Sequence, residues 1–294
     1  MNLMRYKGWY FIFSLLIILP GLYYLLTSGL KLGIDFTGGA LLEYQFEKKI
    51  NVNDLKQQIS SQGIEVGQIT PSINNVYIIR TKPIEQSKID KLKPFLNTKF
   101  GAVEERRTEF VGPVIGSELQ QRAFAATVLA SVIIVIYIAF SFRKIPKPQS
   151  SWRFGIAAVV ALIHDILVVV GIFAILGKFL GVEIDTLFVT AILTIIGFSV
   201  HDTIVVFDRI RENLVKHMGR EFIEIANLSV VQTLGRSLNT SLTVVFVLLA
   251  LLLFGGETLR WFVLALLVGI VSGTYSSIFN ATALLVWWEE RLGH

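Results

Sequence analysis

Six runs of apolar residues constrain this chain more than any other feature in it: 9–28, Phe124–Phe142, Phe154–Leu176, Leu187–Phe207, Leu238–Phe254 and Trp261–Trp288. A helix needs about 20 predominantly apolar residues to cross a bilayer, so the runs are predicted to be six transmembrane helices, the last long enough to tilt or protrude. The first follows Arg5 and Lys7, exceeds the length of a signal-peptide core and lacks a small-residue cleavage site, so it reads as an uncleaved helix. Pro20 is placed to kink it, and Trp9, Tyr10, Tyr23 and Tyr24 suit its two interfaces.

Hydrophobic residues make up 53% of the chain, which excludes a soluble protein. A formal charge of +5 invites a nucleic-acid reading, but Lys31–Arg107 holds twelve basic residues against eleven acids in Asp35–Glu118. No basic face is left there for nucleic acid. The surplus lies in short loops: Arg143, Lys144, Lys147 and Arg153 follow the second span, and Arg209, Arg211, Lys216, Arg220 and Arg236 follow the fourth. The opposite loops hold Lys178 and Arg260 beside Glu183, Asp185 and Glu257. By the positive-inside rule both termini are cytoplasmic and the long segment after the first span is outside. With no Cys, that segment must be held by a packed core rather than disulfides.

The segment reads as an independent α+β domain, residues 33–117. Leu41–Phe46 and Val76–Thr81 alternate as strands do, with weaker strands at Glu65–Ile69 and Val103–Phe110. Asn51 or Asn53 is placed to cap a helix running to about Gln62, and Glu85–Phe100 suits a second helix containing Pro94. Strand, helix, strand, strand, helix, strand is the ferredoxin-like order. The expected architecture is therefore an α-helical membrane protein of six transmembrane helices. It comprises helix 1 at 9–28, an extracytoplasmic ferredoxin-like domain, and a five-helix domain at 122–294 with a cytoplasmic amphipathic segment near 209–232, broken at Gly219.

Polar residues inside apolar helices are the functional candidates. A carboxylate at the centre of a membrane helix costs about 2.5–3.5 kcal/mol on insertion scales, so Asp202 is expected to face a partner, a water file or an ion. At 1.5 Å per residue it lies about 22 Å along the helix from Leu187 and about 9 Å short of Asp208. Arg236, leading the fifth span, is the candidate partner: a deprotonated Asp202 attracts it and a protonated one releases it. Ser199 and His201 accompany Asp202, His164 and Asp165 form a second doublet that reads as lining a polar seam, and Asn239 and Asn280 complete the set. Neighbours on a helix point about 100° apart, so neither His-Asp doublet chelates a metal and Ser199, His201 and Asp202 do not converge as a hydrolytic triad. No catalytic residue, metal site or cofactor is assigned.

Two glycine patterns remain. Gly269, Gly273, Ser277 and Ala281 recur every fourth residue in the last span, which allows close helix packing, inside the bundle or against a second chain. Gly33, Gly38 and Gly39, around Asp35, suggest a sharp turn or hinge where helix 1 hands over to the first strand.

These residues together resemble a known family. The stretches are Gly33-Ile34-Asp35-Phe36-Thr37-Gly38-Gly39, Phe110-Val111-Gly112-Pro113, Ala161-Leu162-Ile163-His164-Asp165, Asp202 to Asn213, Thr233-Leu234-Gly235-Arg236, Phe254-Gly255-Gly256 and Gly273-Thr274-Tyr275-Ser276-Ser277. In this order they are similar to SecF, the bacterial membrane subunits that work with SecD beside the protein-export channel. The resemblance implies an architecture shared with resistance-nodulation-division exporters, each subunit supplying six helices. It implies partners, namely SecD, the SecYEG channel, unfolded preprotein and the lipid of the inner membrane, and use of the proton gradient through Asp202 and Arg236. Asp165, His201 and Ser199 are further possible members of the proton pathway. His201 stands where the family commonly has Asn, and adds a second titratable group beside Asp202; Asn239 and Asn280 are polar where apolar or small residues are expected.

The leading expectation is a proton-driven auxiliary subunit of the Sec translocase. The alternatives are a non-conducting scaffold for SecD and the channel, or half of a small-molecule exporter, which a single outer domain is too small to serve.

Overall fold

A computed structural model describes residues 2–143, 145–146 and 149–292. Lys144 and Lys147, counted above in the loop charge, lie outside them. The helices are α1 (Lys7–Ser28), α2 (Ile34–Thr37), α3 (Val52–Ser60), α4 (Gln86–Phe100), α5 (Pro113–Ser141), α6 (Ser151–Leu180), α7 (Thr186–Lys216), α8 (Phe222–Phe254), α9 (Arg260–Tyr275) and α10 (Thr282–Arg291). A π-helical segment, Ser276–Ala281, joins α9 to α10. The strands are β1 (Gly39–Phe46), β2 (Val66–Pro71), β3 (Val76–Thr81) and β4 (Val103–Val111). Among the described residues, six helices are long and apolar enough to cross a membrane: Met4–Ser28, α5, α6, α7, α8 and Arg260–Arg291. The chain divides into two compact units, Met1–Lys31 with Ala126–His294, and Leu32–Ala125.

The first unit is helical throughout, because in hydrocarbon each backbone N–H and C=O must be satisfied inside its own segment. Asp185 starts α7 by accepting from the Phe188 N–H at 2.9 Å. Where α1 crosses α6 the backbones touch: a Cβ built on Gly21 would lie 2.7 Å from the Gly171 Cα. Polar side chains add to that packing along the last span. Tyr275 Oη donates to the Tyr10 carbonyl at 2.8 Å and Asn280 Nδ2 to Ser14 Oγ at 2.7 Å. At one end of the bundle Phe142, Phe154, Phe207 and Phe222 form an aromatic cluster, with Phe154 and Phe207 edge to face at 5.2 Å. In the same unit the buried Glu289 carboxylate pairs with Arg153 at 2.6 Å.

The second unit is a four-stranded antiparallel sheet in the order β2-β3-β1-β4. Its alternation is the reason for its core: Ala40, Leu42, Tyr44 and Phe46 of β1 point one way, meeting Tyr77 and Ile79 of β3, Leu55 and Ile59 of α3, and Ile89, Leu92 and Leu96 of α4. The Asn51 side chain caps α3 by accepting from the Asn53 N–H. Pro94 sits within α4, and its carbonyl accepts from Thr98 Oγ1 at 3.0 Å. Burial pushes the Tyr44 phenol up to about 12, with the Glu105 and Asp90 charges adding to the effect. The sheet core therefore stays uncharged at neutral pH.

The Gly33–Gly39 stretch forms one helical turn, α2, followed by two glycines with positive φ, +71° at Gly38 and +129° at Gly39. A Cβ on Gly39 would meet the Thr81 carbonyl oxygen at 2.2 Å and one on Gly38 the Pro113 Cα at 2.8 Å, so no larger residue fits at either position without moving backbone.

Two expectations are corrected in detail, and one feature of the last span is new. The polar stretch near 209–232 does not form separate surface helices: α7 continues to Lys216 and α8 begins at Phe222 and runs unbroken to Phe254. The reason is that its apolar residues are core rather than interfacial, with Phe222, Ile225, Ala226 and Val230 buried and Asn213 Nδ2 donating to Ser229 Oγ at 2.8 Å across the helix pair. Arg236 consequently lies inside α8 rather than at its start. The last span is not one regular helix, since the π-helical segment interrupts it.

Candidate functional site

α7 carries Ser199, Asp202 and Thr203 on a face that packs against α6, α8 and α9, and all three are buried. Asp202 is 2% exposed. Ser241 of α8 donates to Asp202 Oδ2 at 3.4 Å, and Ser241 Oγ lies 2.6 Å from Thr274 Oγ1 of α9. Thr274 Oγ1 also donates to the Ile270 carbonyl at 2.9 Å. Each hydroxyl has one proton, so when Thr274 serves Ile270, Ser241 must serve either Thr274 or Asp202. The arrangement can hand a hydrogen bond to Asp202 or withdraw it without moving a heavy atom far.

Arg236 is exposed on the surface of this chain, and among the described residues no ion pair joins it to Asp202. His201, next to Asp202 in the chain, is also exposed. Asn239 is exposed too, whereas Asn280 is buried against Ser14.

A second carboxylate, Asp165 of α6, is completely buried and densely hydrogen-bonded. Ser199 Oγ and Ser276 Oγ donate to Oδ2 at 2.6 and 2.7 Å, Ser272 Oγ donates to Oδ1 at 2.8 Å, and His164 Nδ1 lies 3.0 Å from Oδ1. Nearby, Ser277 Oγ lies 2.7 Å from Thr203 Oγ1 and 3.0 Å from the Ser199 carbonyl. The small residues of the last span face α7 in this region. A Cβ on Gly269 would meet Ile195 Cδ1 at 2.2 Å, and one on Gly273 would meet Ser199 Cβ at 3.1 Å and Asp165 Oδ2 at 3.6 Å. Gly33, Asp35, Gly38 and Gly39 belong to the other unit.

Sequence reading missed Ser241, Thr274, Ser272, Ser276 and Thr203, and it missed the buried Arg153–Glu289 pair. A signal existed for some of them: Ser272 and Ser276 are four apart, as are Ser237 and Ser241, and a hydroxyl repeated at that spacing marks one helix face. Nothing local marked the π-helical segment, a geometry that often accompanies functional sites.

A bundle of six apolar helices with two carboxylates buried among serine and threonine hydroxyls defines the class: a multi-pass membrane protein with a polar interior. Known proteins narrow this. The C-terminal model of the protein export membrane protein SecD/SecF matches residues 91–291, and the SecD/SecF GG motif matches residues 23–50, which include Gly38 and Gly39. The chain is 50% identical, over 99% of its length and 94% of the relative's, to protein translocase subunit SecF of Thermobaculum terrenum. It is 43% identical to that of Anaerolinea thermophila over 99% of its length and 94% of the relative's. A crystal structure of SecDF from Thermus thermophilus, described as a translocon-associated membrane protein, aligns with TM-score 0.86 and 34% identity over 99% of this chain, which spans 39% of that one. The chain therefore belongs to the SecF branch of the SecD/SecF family of protein-export membrane proteins.

Proposed function

We propose that this chain is an auxiliary subunit of the Sec translocase that, paired with SecD, uses the proton gradient to promote preprotein export beside the SecYEG channel. Asp202 is the proton carrier and Arg236 its charge partner, acting through space. The single observation that carries this reading is the placement of Asp202: a carboxylate buried within an apolar helix, supplied by the Ser241–Thr274 hydroxyl pair rather than locked in an ion pair. A proton crossing the membrane potential delivers about 2.3 kcal/mol per 100 mV, so one or two suffice to bias a conformational equilibrium by several kcal/mol. The relatives' name, protein translocase subunit, supports the export role.

In the same reading the chain sits in the bacterial inner membrane with both termini cytoplasmic. Residues 33–117 form an extracytoplasmic, ferredoxin-like domain that meets the preprotein, 9–28 is the first transmembrane helix, and 122–294 is the five-helix membrane domain. Strand order and the loop charges support this. The Gly33–Gly39 turn is its hinge, and Gly269, Gly273 and Ser277 are its close-packing positions. The protein acts without catalysis, metal or cofactor.

The test is proton flux after a pH jump in vesicles holding this chain with its SecD partner. Wild type should conduct and Asp202→Asn should not. Equal flux in both would leave the non-conducting scaffold as the function.

A further inference from the structure

Two buried carboxylates flank one strip of the last span. Ser272 and Ser276 turn toward Asp165 on α6, while Thr274, between them, turns toward Ser241 and through it toward Asp202. Gly273 lies at the centre of the strip, where the lack of a side chain lets α7 come within contact of its backbone. The π-helical segment that begins at Ser276 widens the turn, so that Ser276 and Ser277 both face inward, one to Asp165 and the next to Thr203 and the Ser199 carbonyl. Ser199, which also donates to Asp165, is three residues from Asp202 on the same helix. Thus α7 and the last span, which between them carry Asp202 and its hydroxyl supply, are both tied to Asp165.

We infer that Asp165 is a positioning residue: its three serine bonds fix the register of the π-helical strip against α7, and so set how Ser241 and Thr274 are presented to Asp202. The inference deepens the proposed proton role of Asp202 and rests on it. Asp165 itself has no need to gain or lose a proton in this scheme. Its acceptor positions are filled by hydroxyls, each of which also belongs to a helix that must be held in place. On α7 and the elements packed against it, the titratable groups facing this region are His201 on α7, Asp165 and His164 on α6, Arg236 on α8 and Tyr275 on α9; substituting Ser272 or Ser276 leaves all of them in place and removes one donor from Asp165 alone.

The experiment uses the full chain with its SecD partner in vesicles and compares Asp165→Asn, Ser276→Ala and Ser272→Ala with wild type. Proton flux is measured against pH, and the Asp202 carboxyl band, identified as the infrared band lost in Asp202→Asn, is titrated in the same samples. Detergent melting establishes that each variant is folded. The expected result is that folded variants shift the titration midpoint of the Asp202 band by about 0.5 pH unit or more, with the flux profile moving alongside it. Should Asp165→Asn fail to fold, the two serine variants, which remove one bond each, decide the matter. Folded variants whose Asp202 titration overlays wild type would reduce Asp165 to packing. If Asp165→Asn abolishes flux while both serine variants leave the titration untouched, Asp165 is a carrier and the inference is overturned. The infrared arm needs no flux, so a non-conducting wild type would sink the proton role of the protein without deciding this one.

Discussion

Asp165 and Asp202 are two aspartates buried in the same bundle, and they are treated differently. Asp165 accepts three serine hydroxyls at 2.6–2.8 Å, whereas Asp202 has the 3.4 Å contact with Ser241 and draws on Thr274, the two hydroxyls being themselves 2.6 Å apart. A buried carboxylate whose acceptors are filled from several helices holds those helices together, and removing it strands every donor at once. One that draws on a shared hydroxyl can change its partners at little structural cost. The bundle thus separates anchoring from exchange, with three serine hydroxyls committed to the anchor.

The largest effect that would sharpen this contrast is on transport. Asp202→Asn is expected to bring proton flux in vesicles to background while the protein accumulates and melts as wild type does. A variant that is unfolded would place Asp202 with the anchors and break the comparison. Next in size is stability. Asp165→Ala strands three hydroxyls and should cost about 2–5 kcal/mol, summing contributions of roughly 0.6–1.7 kcal/mol per buried bond in a membrane bundle. Asp202→Ala should cost less than half as much in the same melting assay, and equal losses would show the two sites to be alike.

Gly273→Ala probes the strip between the carboxylates. Its methyl would press on Ser199 Cβ at 3.1 Å, so a loss of about 1–2 kcal/mol is expected, with reduced flux in the folded fraction. A silent Gly273→Ala would show that α7 and the last span are free to separate there. The smallest effect is expected of the conservative change at Arg236. Acting on Asp202 through space, the arginine needs its charge more than its shape, so Arg236→Lys should keep flux within about threefold of wild type whereas Arg236→Ala should lose most of it. Equal damage from both would point to a directed guanidinium contact formed in another state of the protein.

Much of the fold was legible because its causes are local. Apolar runs of spanning length announced six helices, and the short apolar, β-branched and aromatic stretches Leu41–Phe46 and Val76–Thr81 announced two strands that the structure places side by side. The start of α8 was not legible. Charged and apolar residues alternate from 209 to 232 in a way that reads as amphipathic surface helices, and only the packing of Phe222, Ile225 and Val230 in the core makes 222–232 the beginning of a long helix. The need for glycine at Gly38 and Gly39 showed in the pattern, but its cause, the Thr81 carbonyl and the Pro113 backbone, lies dozens of residues away.

For the candidate site the division is sharper. The sequence by itself determined that Asp165 and Asp202 lie in apolar helices, because hydropathy and charge are properties of neighbours along the chain. Which of the two is anchored and which is lightly held was decided only by tertiary structure. Serines at 199, 272 and 276 are isolated polar residues until the helices are brought together, and a hydroxyl's single proton is committed by whatever acceptor lies within about 3 Å in space, not by its place in the chain.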